Sequence, residues 1–63
     1  MKSLGFKIKL ERVKKCFTQE QLAIKSGLSV QTINHIERNK YKPQAQTIGK
    51  ICNALNIPIE KII

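Results

Sequence analysis

The amino-acid sequence predicts an all-α fold of five short helices in one domain, residues 1–63. Three observations support this prediction. Residues that start and stop helices recur along the chain at short intervals. No segment of useful length alternates apolar and polar residues as a half-buried strand does. A chain of this length buries only about 60% of its unfolded surface, which leaves no room for a large substrate pocket beside a core.

The first two helices are bounded by residues suited to helix ends. Ser3 is a candidate N-cap for a helix that runs to about Lys15. Thr18, with Gln21 three residues later, matches a capping box, in which two side chains satisfy backbone N–H groups reciprocally. The second helix should end near Gly27, because glycine adopts the positive φ of a helix terminator without strain.

The same signals predict the rest of the chain. Ser29 is suited to cap a third helix, and Asn39 is suited to end it in a left-handed conformation. Lys42 precedes Pro43, and a residue before proline avoids the α region, so an extended loop is expected there. Two further helices follow this loop, from about Ala45 to Leu55, stopped by Asn56, and from Pro58 through Ile62.

The charge balance indicates a polyanionic partner. Twelve lysine and arginine residues stand against four acidic residues, which gives a formal net charge of +8 at pH 7. Each cation that pairs with a phosphate of a nucleic acid releases condensed counterions, and this release favours binding. A basic surface that serves only solubility is the alternative that charge alone leaves open.

The two cysteines indicate neither a zinc site nor a disulfide scaffold. Cys16 and Cys52 lack the paired spacing of zinc ligands, and two thiols are too few for a disulfide framework. Cys52 lies in an apolar helical pattern and is predicted to be a core residue, whereas Cys16 is predicted to be a surface thiol. No signal peptide and no apolar run of membrane-spanning length is present, so we expect a cytoplasmic protein.

The segment from Gln19 to Arg38 meets the requirements of two helices that cross steeply through a short turn, a helix-turn-helix. A small residue is needed where the helices touch, and Ala23 stands there. Gly27 gives the turn its permissive backbone. Ser26 occupies a position that is apolar in many such motifs. The residues expected to face the core at helical intervals are Leu22, Leu28, Ile33 and Ile36.

Matches to one family extend along nearly the whole chain, in order and at the family's spacing. They are Leu4-Gly5, Ile8-Lys9, Arg12, Phe17-Thr18-Gln19-Glu20-Gln21-Leu22-Ala23, Gly27-Leu28-Ser29, Thr32-Ile33, Ile36-Glu37-Arg38-Asn39-Lys40, Lys42-Pro43 and Ala54-Leu55. On these residues the chain resembles the Cro/phage-repressor type, or XRE family, of helix-turn-helix domains. The resemblance implies a compact, lambda-repressor-like fold with the motif on helices two and three. It also implies sequence-specific binding of double-stranded DNA and regulation of transcription, as a repressor.

The resemblance assigns base reading to the first two turns of the third helix, which such domains place in the major groove. Gln31 and His35 are four residues apart and project from one face, and a glutamine can pair with N6 and N7 of adenine. A solvated helix face with no reading role is the alternative. The implied base-reading residues are Val30, Gln31, Thr32, Asn34 and His35.

The resemblance also implies phosphate contacts and one structural ion pair. Ser29 is explained equally well as a plain N-cap. Arg12 of helix one and Glu37 at the end of helix three stand at the positions of a family ion pair, and we expect a structural pair here. The implied phosphate-contacting residues are Gln19, Ser29, Arg38, Asn39, Lys40 and Lys42.

Helix one departs from the family pattern, because position 11, usually apolar, is Glu11. Its apolar residues form two stripes instead, and the second stripe is either packed in the core or a contact surface. In helix four, Gly49 suggests that another helix approaches closely there. One stripe is Leu4 and Ile8, and the other is Phe6, Leu10, Val13 and Phe17.

Two other classes of function fit the sequence less well. The single histidine lies on the third helix and no nucleophile, base or metal cluster can be assembled, so no enzyme activity, metal or cofactor is expected. A protein-binding module of the same fold, of the antitoxin or anti-repressor type, would suit the two-faced first helix and the apolar tail Ile57, Ile59, Ile62 and Ile63. The charge of +8 favours double-stranded DNA. The resemblance implies a homodimer on DNA, acting at a bacterial or phage nucleoid, and we expect neither a membrane partner nor a small-molecule ligand.

Overall fold

The computed structural model describes residues 3–63 as four α-helices and one 3-10 turn, with no strand in that range. The elements are α1 (Leu4–Lys14), α2 (Gln19–Ser26), α3 (Val30–Glu37), α4 (Ala45–Leu55) and η1 (Ile59–Lys61). The prediction of an all-α fold is confirmed, but the prediction of a fifth helix is wrong. After Pro58 the chain makes a single turn of three residues with no side-chain cap, which is too short for an α-helix. No helix among the described residues is long and apolar enough to cross a membrane.

The predicted N-caps are confirmed. The hydroxyl oxygens of Ser3 and Ser29 each accept a hydrogen bond from the backbone N–H three residues later, at 3.2 and 3.1 Å. Thr18 and Gln21 form a complete capping box: the Thr18 hydroxyl accepts from the Gln21 backbone at 3.0 Å, and Oε1 of Gln21 accepts from the Thr18 backbone at 2.8 Å. These local bonds set where α1, α2 and α3 begin.

All four α-helices end in the same way. A residue with left-handed φ follows each helix, and the next N–H then reaches back five residues to a helical carbonyl, as in a Schellman motif. A residue other than glycine or asparagine costs roughly 1 kcal/mol or more in this conformation, and Cys16 is such a residue. The left-handed residues are Cys16, Gly27, Asn39 and Asn56, with φ between 57° and 75°.

The core lies where α2 packs against α3 and α4, and α1 closes it against α3. The predicted core residues of the helix-turn-helix are confirmed, with Leu28 packed at the edge of the core. Cys52 is buried as predicted, and burial raises the pKa of its thiol, with a further contribution from the Glu60 carboxylate. Buried apolar residues are Ile8, Leu22, Ala23, Ile33, Ile36, Ile48, Ile51, Cys52, Leu55 and Ile62.

The two stripes of α1 have different surroundings. Ile8 is fully buried, whereas Phe6 and Val13 are 43% and 53% exposed, so a core position for these two residues is wrong. Glu11 occupies the next inward-facing position along the helix. It is buried, and its carboxylate lies 3.5 Å from Nζ of Lys14. The exposed stripe is therefore an apolar surface, and a carboxylate occupies the place of the family's apolar residue.

The close approach expected at Gly49 is wrong, and one occurs at Gly5. A Cβ atom built on Gly49 would meet nothing within 4 Å. A Cβ atom on Gly5 would lie 2.7 Å from the carbonyl oxygen of Glu37 and closer still to that of Ile36. The start of α1 therefore rests directly on the carboxyl end of α3, and only glycine fits at this point.

Candidate nucleic-acid interface

The five residues predicted to read bases fall into two groups on α3. Val30, Gln31 and His35 are exposed, and the last two lie one helical turn apart on the same face. Thr32 and Asn34 are half-buried. The hydroxyl groups of Thr32 and Ser29 share a hydrogen bond of 2.8 Å, which leaves the Thr32 methyl group as the outward part of that side chain.

A chain of polar side chains runs beneath this face. Nε and Nη2 of Arg12 donate to the two carboxylate oxygens of Glu37 at 2.7 and 3.1 Å, and Nη1 donates to the Phe17 carbonyl at 2.7 Å. Nε2 of Gln19 donates to the same carboxylate at 3.1 Å. Nδ2 of Asn34 in turn donates to Oε1 of Gln19 at 3.3 Å. The ion pair, the first residue of α2 and the reading helix are thus one connected network.

Asn39 has an internal role that the sequence did not reveal. Its side-chain oxygen accepts from the Gly5 backbone N–H at 3.1 Å, and its side-chain nitrogen donates to the Ser3 hydroxyl at 3.0 Å. The residue therefore fastens the start of α1 to the end of α3. Its amide nitrogen has a second hydrogen, so the exposed side chain can keep both bonds and still donate to a phosphate.

The loop after α3 carries free positive charge beside the reading helix. Arg38, Lys40 and Lys42 are exposed, whereas the charge of Arg12 is compensated by Glu37. Tyr41 stands between the two lysines, 44% exposed, and sequence reasoning missed it because its flanking charges were its only signal. The loop borders a concave space of about 260 Å³ lined by Leu4, Ile36, Asn39, Tyr41 and Lys42.

Comparison with known proteins identifies the family. The model of the helix-turn-helix family matches residues 8–62, which is most of the chain. The chain belongs to the helix-turn-helix family. The match is to the XRE type of this family, and the chain is therefore a DNA-binding transcriptional regulator.

Relatives of this helix-turn-helix chain include phage and archaeal proteins. It is 36% identical over 61 residues to the immunity repressor protein of Bacillus phage phi105, covering 97% of this chain but only 42% of that protein. It is 43% identical over 56 residues to an uncharacterized HTH-type transcriptional regulator of Methanocaldococcus jannaschii, covering 89% of this chain and 85% of that one. The crystal structure of the restriction-modification controller protein C.AhdI from Aeromonas hydrophila superposes with a TM-score of 0.93 at 28% identity, covering 95% and 91% of the two chains.

Proposed function

We propose that this chain is a sequence-specific regulator that binds double-stranded DNA by inserting α3 into the major groove, and that it acts as a repressor. The observation that carries the proposal is the outward face of α3, where Gln31 and His35 lie side by side next to the basic loop that begins at Arg38. The 36% identity to a phage immunity repressor supports repression as the outcome of binding. A regulator of this kind acts at the nucleoid, in the cytoplasm.

Base reading is assigned first to the exposed side chains of α3. Gln31 can accept from N6 and donate to N7 of adenine, and His35 can donate to an acceptor of guanine. Val30 and the methyl group of Thr32 can pack against thymine methyl groups, because the Thr32 hydroxyl is already bonded to Ser29. Asn34 reads from a position set by the network beneath α3.

Phosphate contacts are assigned to the two ends of the motif. At the amino end, Ser29 and Gln19 begin α3 and α2, where free backbone N–H groups and the helix dipoles favour an anion. At the carboxyl end, Arg38, Lys40 and Lys42 reach the sugar-phosphate backbone. Asn39 is assigned to the same set, through the amide hydrogen that its bonds to Gly5 and Ser3 do not use.

We further propose that the chain binds as a homodimer on half-sites about one helical turn apart. The exposed Ile63 beside the partly buried Ile57 and Ile59 supports a contact between carboxyl-terminal ends. Sedimentation of the protein with and without a two-half-site duplex tests this. A complex of one chain per duplex would contradict it.

The test of DNA binding is a selection from random duplexes, followed by affinity measurements on the selected sequence over a range of salt concentrations. Gln31→Ala should weaken the selected sequence by about 1–3 kcal/mol and relax preference at particular bases. Lys40→Ala should weaken all sequences alike and reduce the slope of log affinity against log salt by about 1. Lys50→Ala, which removes the same charge from an exposed position of α4, is the matched control and should leave that slope unchanged.

The proposal fails if no sequence is enriched, or if Gln31→Ala leaves specific affinity unchanged. Absence of DNA binding even at low salt would indicate a protein-binding module instead, because phosphate neutralisation by a chain of charge +8 makes DNA affinity rise steeply as salt falls. The exposed stripe containing Val13 is the surface such a module would use.

A further inference from the structure

In the hydrogen-bonded network beneath α3, the order of donors and acceptors from Glu37 to Asn34 follows from the chemistry of Glu37. Glu37, ionised opposite Arg12, has two carboxylate oxygens that only accept hydrogen bonds. Gln19 contacts this carboxylate and must therefore present its amide nitrogen, Nε2, to it. Its amide oxygen, Oε1, then lies on the other side of the group, where Asn34 approaches.

The same rule fixes the amide of Asn34. Only a donor can meet Oε1 of Gln19, so Asn34 must present its nitrogen Nδ2 inward, as the 3.3 Å bond records. The oxygen Oδ1 then lies on the opposite side of the amide. Asn34 is half-buried on α3, so this oxygen is the acceptor that the residue offers toward the outer face of the helix.

We propose, on the basis of the DNA-binding function proposed above, that Asn34 reads an exocyclic amino group in the major groove. Such groups occur at N6 of adenine and N4 of cytosine, whereas guanine and thymine offer O6 and O4, which are acceptors, at the corresponding places. Glu37 and Gln19 are positioning residues for this choice. The base read by Asn34 is thus set by the charge of a carboxylate that itself does not touch DNA.

Reversing the amide of Asn34 in the wild-type protein places two acceptors against each other. Either the two amide oxygens of Asn34 and Gln19 meet, or the oxygen of Gln19 meets the Glu37 carboxylate. Both arrangements lose a hydrogen bond in a half-buried position, and an unpaired polar group there is costly. The wild-type protein should therefore favour an amino-bearing base over its carbonyl-bearing counterpart on the order of tenfold.

The experiment compares variants by selection from random duplexes. Asn34→Ala first identifies the base pair that the residue reads, since preference is lost at that pair alone. The wild-type preference there should be adenine or cytosine on the contacted strand. Gln19→Met then removes the link to Asn34, whose amide is free to turn, so discrimination between amino and carbonyl bases at that pair should fall toward onefold.

Arg12→Gln is the matched control, because it breaks the ion pair beneath α3 but keeps the acceptor-only carboxylate of Glu37 and the two amide bonds beyond it. It should lower the melting temperature without changing the preferred base at the Asn34 position.

The outcomes separate this inference from the DNA-binding proposal. If the wild-type protein selects no sequence, the proposed function itself fails. If it selects a sequence, three results overturn the role of the network: Asn34→Ala changes no preference, guanine or thymine is preferred at its base pair, or a folded Gln19→Met protein keeps the wild-type preference. A loss of discrimination in Gln19→Met, absent from Arg12→Gln, supports it, because lost stability alone would affect both variants.

Discussion

Replacing Gly5 with alanine adds one methyl group where α1 lies against the carboxyl end of α3. The new Cβ would lie 2.7 Å from the Glu37 carbonyl oxygen, 2.8 Å from Oδ1 of Asn39, and closer still to the Ile36 carbonyl oxygen. Two of these neighbours are backbone atoms, which cannot turn aside as a flexible side chain does. The third accepts the Gly5 N–H bond at 3.1 Å, so relief of the clash also weakens that bond.

Overpacking of this kind costs about 1–3 kcal/mol, and the hydrogen bond contributes about 1 kcal/mol. The intrinsic advantage of alanine over glycine in a helix offsets about 0.5–1 kcal/mol. The net loss is about 2 kcal/mol, against a total stability of about 3–9 kcal/mol for a domain of this size. Thermal unfolding followed by circular dichroism should show a melting temperature lower by roughly 10 °C.

Gly49→Ala makes the same chemical change in α4, where a Cβ meets nothing within 4 Å. It should raise stability by about 0.5–1 kcal/mol and the melting temperature by roughly 4 °C. Comparison of the two variants separates the effect of the close approach at Gly5 from that of helix propensity, since propensity alone predicts higher stability for both. A Gly5→Ala protein that melts at or above the wild-type temperature would show that α1 does not rest on α3 as described.

Four further predictions concern the helix ends and the thiols. Cys16→Gly should stabilise the protein by about 1 kcal/mol in urea unfolding, because Cys16 is exposed at φ 61°; a loss of stability would contradict the left-handed conformation. Thr18→Ala should destabilise it by about 1 kcal/mol, with Thr18→Ser as the control that keeps the cap, and equal stability of the three proteins would mean that the capping box is not formed. A thiol reagent should modify Cys16 rapidly and Cys52 only on unfolding, so two equally fast reactions would exclude a buried Cys52. Since its pKa is raised in the folded state, the stability contributed by the Cys52 thiol is fully present below about pH 8.5 and is lost as the pH rises through the folded pKa.

Features that depend on neighbouring residues could be predicted from the sequence. Ser29 and Thr18 bind N–H groups within one turn, so their residue types and spacing are sufficient to place helix starts. Asn39 and Gly27 end helices for reasons of local backbone conformation. The alternation of these signals was therefore enough to place α1 to α4 and the turn between α2 and α3.

Features that depend on which surfaces meet were not predicted. Gly5 and Gly49 are both helical glycines, and only the packing of α1 on α3 distinguishes them. The helical periodicity of Val13 resembles that of a core residue, but Val13 is 53% exposed among the residues that the structure describes. The double hydrogen bond of Asn39 to α1 joins residues more than thirty positions apart in sequence, which no local pattern encodes.

Part of the candidate site was accessible from the sequence and part was not. The exposed face with Gln31 and His35 follows from helical spacing once α3 is placed. The partly buried position of Asn34 and its bond to Gln19 depend on the angle at which α2 crosses α3. The identities of the candidate residues were thus predictable, whereas the directions in which their amides point were not.

The bond between Asn39 and the Gly5 N–H also makes one backbone proton a reporter of the basic loop. The chain has three glycines, and each lies in a different environment: Gly5 at the loop, Gly27 at the turn between α2 and α3, and Gly49 in α4. In amide NMR spectra of the protein titrated with duplex DNA, the Gly5 signal would follow the loop, the Gly27 signal would follow the turn, and the Gly49 signal would serve as the reference. The response of the loop and of the helix-turn-helix to DNA could then be followed without attaching any label to the protein.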